Sequence, residues 1–328
     1  MTPVEKRTVF YHHPCLDGTT AAWAAYQKLG DTASYIGLDH SDYETITETI
    51  LNNVTPETIA VFLDFAPRRE VLENIIDHVK GIEIFDHHIS AQKSLAAFSD
   101  HSKCHIVFDM DRSGAGMAYD IFSDGSPRPL FINLVEKLDL YQPQKFDTPD
   151  QFYDVSAHLS SIDVDRPLAQ MLPVIDELIQ QSDVQWFEQA GHPKRMAYRE
   201  KIEEVLDGME MINLALLDHA DGCYQVPSVN ARIDDLGHEF SPMLLSACPH
   251  EKKMGLIWHR HSDEVVKVSL RSDQKIDVSM VAEEMAEKYG ENGGGHKGAA
   301  AARFTTDQFN DFAEEVGLTF NVLKAASD

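Results

Sequence analysis

The sequence contains few cysteines and few basic side chains, and it has no long apolar run. Its four cysteines, Cys15, Cys104, Cys223 and Cys248, form no Cys-x-x-Cys pair. No segment has the pattern of a secretory leader, and no apolar run approaches the roughly 18 residues of a membrane-spanning helix. We therefore expect a soluble protein of the reducing cytoplasm that has no membrane partner.

The small number of basic residues limits the kinds of ligand that the protein can bind. Lysine and arginine number 28 against 54 acidic residues, which gives a formal net charge of −26. Long DNA or RNA binds largely through cationic side chains that neutralise phosphates, so a surface of this charge repels it. The charge argues against long nucleic acid as a partner. A short anionic ligand stays compatible with it, in a pocket that is locally positive or holds metal ions.

The order of the apolar segments predicts an α/β fold for the first half of the chain. At 328 residues the chain is long enough for two domains of ordinary size. Apolar runs at 7–13, 58–67 and 82–88 are separated by helical patterns. This order is typical of a mostly parallel sheet with helices on both faces. We predict such a domain over residues 1–190.

The second half of the sequence changes pattern twice. Polar, weakly helical residues predict a helical linker over 191–218. Beyond it, a hairpin pattern at 253–272 is followed by a helical pattern at 278–290. We therefore predict a second, smaller α/β domain over 219–328.

Polar side chains follow each of the three predicted strands. In an open parallel sheet the carboxyl ends of the strands meet at one edge, where ligands bind. Each set alone is compatible with the ordinary start of a loop. Together they supply the imidazoles and carboxylates that two-metal phosphoryl chemistry requires. The residues are His12, His13 and Asp17, then Asp64, and then Asp86, His87 and His88.

Asp139 adds a further carboxylate. It lies between Leu138 and Leu140 near the end of an apolar helical pattern, so we expect it to be partly buried. A buried charge needs a partner. That partner is either a metal ion or a neighbouring loop.

Two glycine-containing segments have features of anion sites. Ser113, Gly114 and Gly116 open a helix whose free amides can receive an anion, with Arg112 adjacent. The alternative is an N-cap followed by tight helix packing. The segment NGGGHKGAAAARF, residues 292–304, is either a flexible turn or a cradle for phosphate.

Four motifs together resemble those of the DHH family of phosphoesterases. They are HHPCLDGTTAAW at 12–23, FLDFAP at 62–67, IFDHHIS at 84–90 and NGGGHKGAAAARF at 292–304. The family includes RecJ-like exonucleases, nano-RNases, cyclic-dinucleotide phosphodiesterases and inorganic pyrophosphatases of the second family. The motifs occur in the family's order and cover nearly the whole chain. The last one resembles the DHH-associated C-terminal domain.

The resemblance implies a centre with two cations, bridged by Asp64. His13 and Asp17 serve one cation, and His87 and Asp139 serve the other. Mixed imidazole and carboxylate ligation favours Mn²⁺, with Mg²⁺ or Co²⁺ as substitutes.

The other implied roles concern the phosphate. Asp86 fixes the tautomer of an imidazole and His88 points toward the phosphate. The catalytic set is therefore Asp64, Asp86, His87 and His88. The implied substrate-binding residues are Arg112, Ser113, Gly114, Arg271, Gly293, Gly294, Gly295, His296 and Lys297.

The first motif departs from the family pattern, in which many members have two aspartates one residue apart. Asp17 matches the second aspartate, and the first falls on Cys15. In another alignment His13 and Asp17 match, and Thr19 stands where the second carboxylate would be. Either His12, His13 or Cys15 compensates, or one cation is held more loosely. Of these, His12 and Cys15 are the less favoured ligands.

The predicted function is hydrolysis of short linear nucleotides, such as pGpG, pApA or nano-RNA, to mononucleotides. The acidic surface disfavours long polymers, and the resemblance of the C-terminal domain implies that it grips a terminal nucleotide. The alternatives are an exopolyphosphatase or small-nucleotide phosphatase, a cyclic-dinucleotide phosphodiesterase, and a non-catalytic nucleotide-binding regulator. A homodimer is compatible with the sequence.

Overall fold

The structure is a computed structural model that describes residues 5–39, 43–214, 224–233, 236–262, 264–289 and 292–318. The chain divides into two compact units, Met1–Lys194 and Arg195–Asp328. We call them the N-terminal unit and the C-terminal unit. No helix of the described residues is long and apolar enough to cross a membrane.

The N-terminal unit is built on five strands and the helices that follow them. The strands are β1 (Lys6–His12), β2 (Ala33–Leu38), β3 (Thr58–Leu63), β4 (Gly81–Asp86) and β5 (Cys104–Phe108). The helices are α1 (Leu16–Leu29), α2 (Tyr43–Asn52), α3 (Arg69–Ile75), α4 (Ile89–Leu95), α5 (Gly114–Phe122), α6 (Leu130–Asp139), α7 (Pro149–Ser160) and α8 (Leu168–Ile179). Helix α9 (Val184–Asp207) contains the boundary between the units.

The five strands form one parallel sheet in the order β2-β1-β3-β4-β5. Strand β1 alternates its side chains between two cores, with Val9 and Tyr11 in one and Phe10 in the other. The central strand β3 is buried along its whole length, as expected for a strand covered on both faces. The predicted parallel sheet with helices on both faces is confirmed.

The C-terminal unit contains a mixed sheet of six strands in the order β10-β11-β9-β8-β7-β6. Strands β7 and β8 run parallel, whereas the other neighbours are antiparallel. The strands are β6 (Glu210–Leu214), β7 (Tyr224–Asn230), β8 (Met254–Arg260), β9 (Val265–Ser272), β10 (Asn292–His296) and β11 (Ala299–Thr305). The helices are α10 (Phe240–Ser246), α11 (Val278–Tyr289) and α12 (Thr306–Val316). The predicted second α/β domain is thus a mixed sheet with helices.

Strand β6 differs from the predicted secondary structure, because it lies within the stretch read as a helical linker. Helix α9 ends at Asp207, and β6 pairs with β7. Ile212 and Leu214 are buried, whereas Met211 and Asn213, which alternate with them, are exposed. This alternation is the period of a strand with one buried face, but in the sequence it is only five residues long and follows directly on a helical pattern.

We expect Phe62→Ala to lower the free energy of unfolding by about 3–5 kcal/mol, because it leaves a cavity in a packed core. Phe62 is fully buried in β3, and its ring stacks on Phe10 with centroids 5.1 Å apart. Urea unfolding measures the loss. In the control Ile121→Ala, the exposed side chain of α5 is shortened, and the change should stay within about 0.5 kcal/mol. Similar losses in both variants would contradict the assignment of Phe62 to the core.

Candidate metal centre

Asp64 contacts residues from two other strand ends of the N-terminal unit, His12 at the end of β1 and His87 after β4. It directly follows β3, and its amide donates to the Phe85 carbonyl oxygen at 3.0 Å. Its φ of 53° lies in the left-handed region, which aspartate enters more readily than most residues other than glycine. The side chain is buried. The sharp turn therefore ends the strand with a carboxylate directed into the protein.

The two oxygens of Asp64 face two different histidines. Oδ1 lies 3.1 Å from His87 Nε2, and Oδ2 lies 3.4 Å from His12 Nδ1. Burial alone would raise the pKa of Asp64, but the hydrogen bonds from His12 and His87 outweigh it and hold that pKa well below its usual range. Asp64 thus links two groups of donor atoms, as a bridging carboxylate must.

Asp86 lies against the imidazole of His88. Its Oδ1 lies 2.7 Å from His88 Nδ1 and accepts from the His87 amide, also at 2.7 Å. Burial lowers the pKa of His88, but the hydrogen bond with Asp86 raises it by more. Asp86 is itself buried. Asp86 therefore fixes both the backbone of the loop after β4 and the orientation of the His88 imidazole.

One group of donor atoms consists of Asp17, His87 and Asp139, whose atoms lie within 4.8 Å of one another. His87 Nε2 lies 3.4 Å from Asp139 Oδ2. Burial and the charge of Asp64 raise the pKa of Asp139 to about 6. For His87, burial lowers the pKa, but the hydrogen bond with Asp64 and the charge of Asp139 raise it to about 10. We call this group the Asp17 pocket.

The second group consists of His12, Cys15 and Asp64, again within 4.8 Å. We call it the Cys15 pocket. His13, the expected ligand, is directed elsewhere, with its Nε2 3.6 Å from the exposed carboxylate of Asp165. Adjacent residues at the end of an extended strand point to opposite sides. The structure therefore places His12 and Cys15 in the centre, and it does not bring His13 to the other ligands.

These two pockets fit divalent cations. The buried carboxylates repel one another, and burial together with Asp64 and Asp139 raises the pKa of Asp17 well above its usual value. Cations between them would remove this repulsion and stabilise the charged forms. Imidazole, carboxylate and thiol are all donors that transition metals accept. The chemistry of the donor set is therefore that of a metal centre with Asp64 shared between two pockets.

The first turn of α5 holds Asp17 in place. The amide of Gly114 donates to Asp17 Oδ2 at 2.6 Å, and the amide of Ala115 donates to Oδ1 at 3.0 Å. Ser113 caps the same helix by accepting from the Gly116 amide at 3.2 Å. The amides expected to receive a substrate anion thus donate to protein oxygens. Binding of a substrate anion at Ser113 and Gly114 stays a prediction.

Arg112 is likewise paired within the protein. Its Nε donates to Glu136 Oε2 at 3.0 Å, and its Nη2 donates to Asp120 Oδ2 at 2.9 Å. Arg128 contacts the same two carboxylates. The network ties α5 to α6, whose last residue is Asp139. In this structure Arg112 therefore supports the helices of the centre, and its role in substrate binding stays a prediction.

The predicted substrate-binding glycines lie in β10, at the edge of the second sheet. A Cβ at Gly293 would lie 2.1 Å from the Ala282 carbonyl oxygen, and one at Gly295 would lie 2.6 Å from the Ala300 Cα. Gly294 faces open space. Packing of β10 against α11 and β11 therefore requires two of the three glycines, whatever ligand the segment binds.

The remaining predicted substrate-binding residues are close to this edge. Arg271, in β9, donates from Nη1 to the Leu270 carbonyl oxygen at 2.8 Å. Lys297 is exposed, and its carbonyl oxygen accepts from the Val278 amide at 3.1 Å. The side chain of His296 lies outside the described residues. Binding of phosphate by these residues stays a prediction.

Residues 249–321 match the model of the DHHA1 domain, which covers most of the C-terminal unit. This match confirms the resemblance of the last motif to the DHH-associated C-terminal domain. An uncharacterized protein of Acanthamoeba polyphaga mimivirus is 25% identical over 158 residues, which are 44% of this chain and 37% of that protein. This chain therefore spans little more than a third of the length of that relative.

Two solved structures resemble the chain. CDC45 from Entamoeba histolytica has a TM-score of 0.52 at 8% identity, over 94% of both chains. RecJ from Thermus thermophilus, in complex with Mn²⁺, has a TM-score of 0.49 at 15% identity, over 94% of this chain and 51% of that one. At these identities the likeness to CDC45 shows a similar fold and does not extend to activity.

We expect Gly114→Ala to weaken the binding of divalent cations about 10- to 100-fold, the usual effect of disturbing residues behind metal ligands. A Cβ at Gly114 would lie 2.3 Å from the Asp64 Cβ and 3.0 Å from Asp17 Oδ2, so both carboxylates must shift. Calorimetric titration of the metal-free protein with Mn²⁺ measures the affinity. The control is Gly81→Ala, where the nearest atom to the added Cβ is the Lys103 carbonyl oxygen at 3.6 Å. Equal affinities of the two variants would contradict the expectation.

In the metal-free protein, His87 should stabilise the fold in a manner that depends on pH. Its pKa is raised in the folded state to about 10 from an ordinary value of 6.5. The stabilisation is therefore complete below about pH 6.5 and is lost as the pH rises through about 10. The difference in free energy of unfolding between the wild type and His87→Gln should shrink across this range. Urea unfolding in chelator measures it, and a difference that stays constant with pH would count against the ion pairs of His87.

Proposed function

We propose that this chain, whose C-terminal unit carries a DHHA1 domain, is a metal-dependent phosphoesterase that hydrolyses short linear nucleotides. The observation that carries the proposal is the position of Asp64, whose two oxygens face His12 and His87 and so connect two pockets of ligand atoms. Paired cations about 3.5–4 Å apart are a recurrent arrangement in enzymes that cleave phosphate esters.

The residues that would hold the cations are those of the two pockets. Asp17, His87 and Asp139 offer one imidazole and two carboxylates, a set that suits Mn²⁺. Asp64 would serve both pockets. When bound, such cations neutralise phosphate charge and lower the pKa of water. Asp17 stays in position because two amides of α5 hold it.

His88 would bind the phosphate of the substrate. Its Nδ1 faces Asp86, so Nε2 on the other side of the ring is the atom that would contact a phosphate oxygen. The hydrogen bond with Asp86 raises the pKa of His88 against the effect of burial, which favours the imidazolium form. An imidazolium donates at both nitrogens. His88 can therefore donate one hydrogen bond to Asp86 and another to the substrate.

Two observations support a short substrate. The net charge of −26 opposes the approach of a long polyanion. The matched DHHA1 domain contains the edge strand β10 with Gly293 to Gly295, beside the exposed Lys297. A linear dinucleotide such as pGpG or pApA, or a nano-RNA, has a terminal phosphate that such an edge can hold. Cyclic dinucleotides lack that phosphate.

The test is a substrate panel with Mn²⁺, containing linear and cyclic dinucleotides, RNAs of two to ten nucleotides, polyphosphate and nucleoside bisphosphates. We expect the linear dinucleotides to give mononucleotides fastest. Rapid turnover of polyphosphate without turnover of dinucleotides would overturn the substrate assignment. Tight nucleotide binding without any turnover would identify a regulator instead of an enzyme.

The variant Asp64→Asn should lose at least about 90% of the activity, because an amide cannot bridge two cations and a bridging ligand contributes several kcal/mol. Asparagine tolerates the left-handed backbone of this position, so the fold should persist. The control Asp100→Asn alters an exposed turn before β5 and should keep full activity. Substantial activity in Asp64→Asn would exclude the bridging role.

A further inference from the structure

The Cys15 pocket is chemically unlike the Asp17 pocket. Cys15 is the residue before the first turn of α1, and its Sγ lies within 4.8 Å of ligand atoms of His12 and Asp64. The Asp17 pocket contains only oxygen and nitrogen donors. The Asp17 pocket thus offers two carboxylates and an imidazole, whereas the Cys15 pocket offers a thiol, an imidazole and the carboxylate of Asp64.

The surroundings of Cys15 differ from those of a cysteine that packs in an apolar core. A free cysteine in a protein core usually packs as a small apolar side chain. Here the partly buried thiol lies beside the polar side chains of His12 and Asp64. A neutral thiol gains little from a carboxylate beside it. A cation between sulfur, imidazole and carboxylate would satisfy all of these groups.

Resting on the proposed metal-dependent function, we propose that Cys15 is a thiolate ligand and that the Cys15 pocket selects a thiophilic cation, foremost Zn²⁺, in place of Mn²⁺. On binding, the S–H proton passes to solvent and a sulfur–metal bond forms. Thiolate and imidazole are preferred ligands of Zn²⁺, whereas Mn²⁺ favours oxygen donors. The Asp17 pocket keeps its preference for Mn²⁺.

The centre is then asymmetric, with Asp64 between a Zn²⁺ pocket and an Mn²⁺ pocket. Cations of similar charge can compete for both pockets when the donors are alike. When the donors of two pockets differ, each pocket prefers a different cation, because geometry and ligand type decide metal selectivity more than overall affinity does. The missing carboxylate of the first motif is therefore a change of metal preference and not a loss of metal binding.

The test adds Co²⁺ alone to the metal-free full-length protein. Cobalt bound to a thiolate gives a charge-transfer band in the near ultraviolet, which oxygen and nitrogen ligands do not give. We expect this band in the wild type, together with protection of one thiol against a thiol reagent. Zn²⁺ should abolish the band by displacing cobalt, while Mn²⁺ at equal concentration should leave it.

Cys104→Ser is the matched control, because Cys104 Sγ lies 3.8 Å from His101 Nδ1 and is the other described cysteine beside a histidine. It should keep the band and the protection, and Cys15→Ser should lose both. Cys15→Asp restores the carboxylate of the common motif. In equilibrium dialysis against both metals, it should shift the ratio of bound Zn²⁺ to bound Mn²⁺ by at least about tenfold toward Mn²⁺.

Absence of the band and of thiol protection in the wild type would overturn the proposal without any need for a folded variant. Persistence of the band in Cys15→Ser would overturn it as well. The phosphoesterase assay separates this proposal from the proposed function. Hydrolysis of a panel substrate without a thiolate band would refute only the proposed role of Cys15. A thiolate band without hydrolysis of any panel substrate would refute only the proposed enzymatic function.

Discussion

The N-terminal unit depends on the mutual repulsion of carboxylates that are buried together. Asp17, Asp64 and Asp139 lie within a few ångströms of the same imidazole, His87, at the carboxyl edge of the sheet. One imidazolium cannot compensate three negative charges, and burial together with this imbalance raises the pKa values of Asp17 and Asp139. A protein evolves such a cluster at the expense of its own stability unless cations complete it. The surrounding structure is arranged to hold these groups in spite of their repulsion.

The restraints on the three carboxylates come from different elements. Two amides of α5 fix Asp17, a left-handed turn after β3 fixes Asp64, and the ion pairs between α5 and α6 support the helix that ends at Asp139. Gly114 lies between the first two, where a side chain would collide with both. Preorganisation of ligands by the residues behind them is what maintains the geometry of a metal centre.

The parallel sheet and the strand ends with their histidines and aspartates were predictable, because β3 is apolar from Ile59 to Leu63 and Asp64 and Asp86 mark where strands end. The choice between His12 and His13 was not. It depends on how the chain leaves β1, and neighbouring residues carry the same side chain. The partner of the α5 amides was also beyond prediction, because Asp17 precedes Gly114 by 97 residues. Strand β6 was missed because its alternation spans only five residues.

The hydrogen bonds from α5 to Asp17 couple two processes that are usually described apart. The first turn of a helix is its most easily frayed end, yet here the carboxylate that stops the fraying is also a candidate ligand. Fraying of α5 would release Asp17 from the centre, and a cation held by Asp17 would in turn fasten the helix end. Local folding of this segment and saturation of the centre are therefore one linked equilibrium, whose position follows the supply of free metal in the cell.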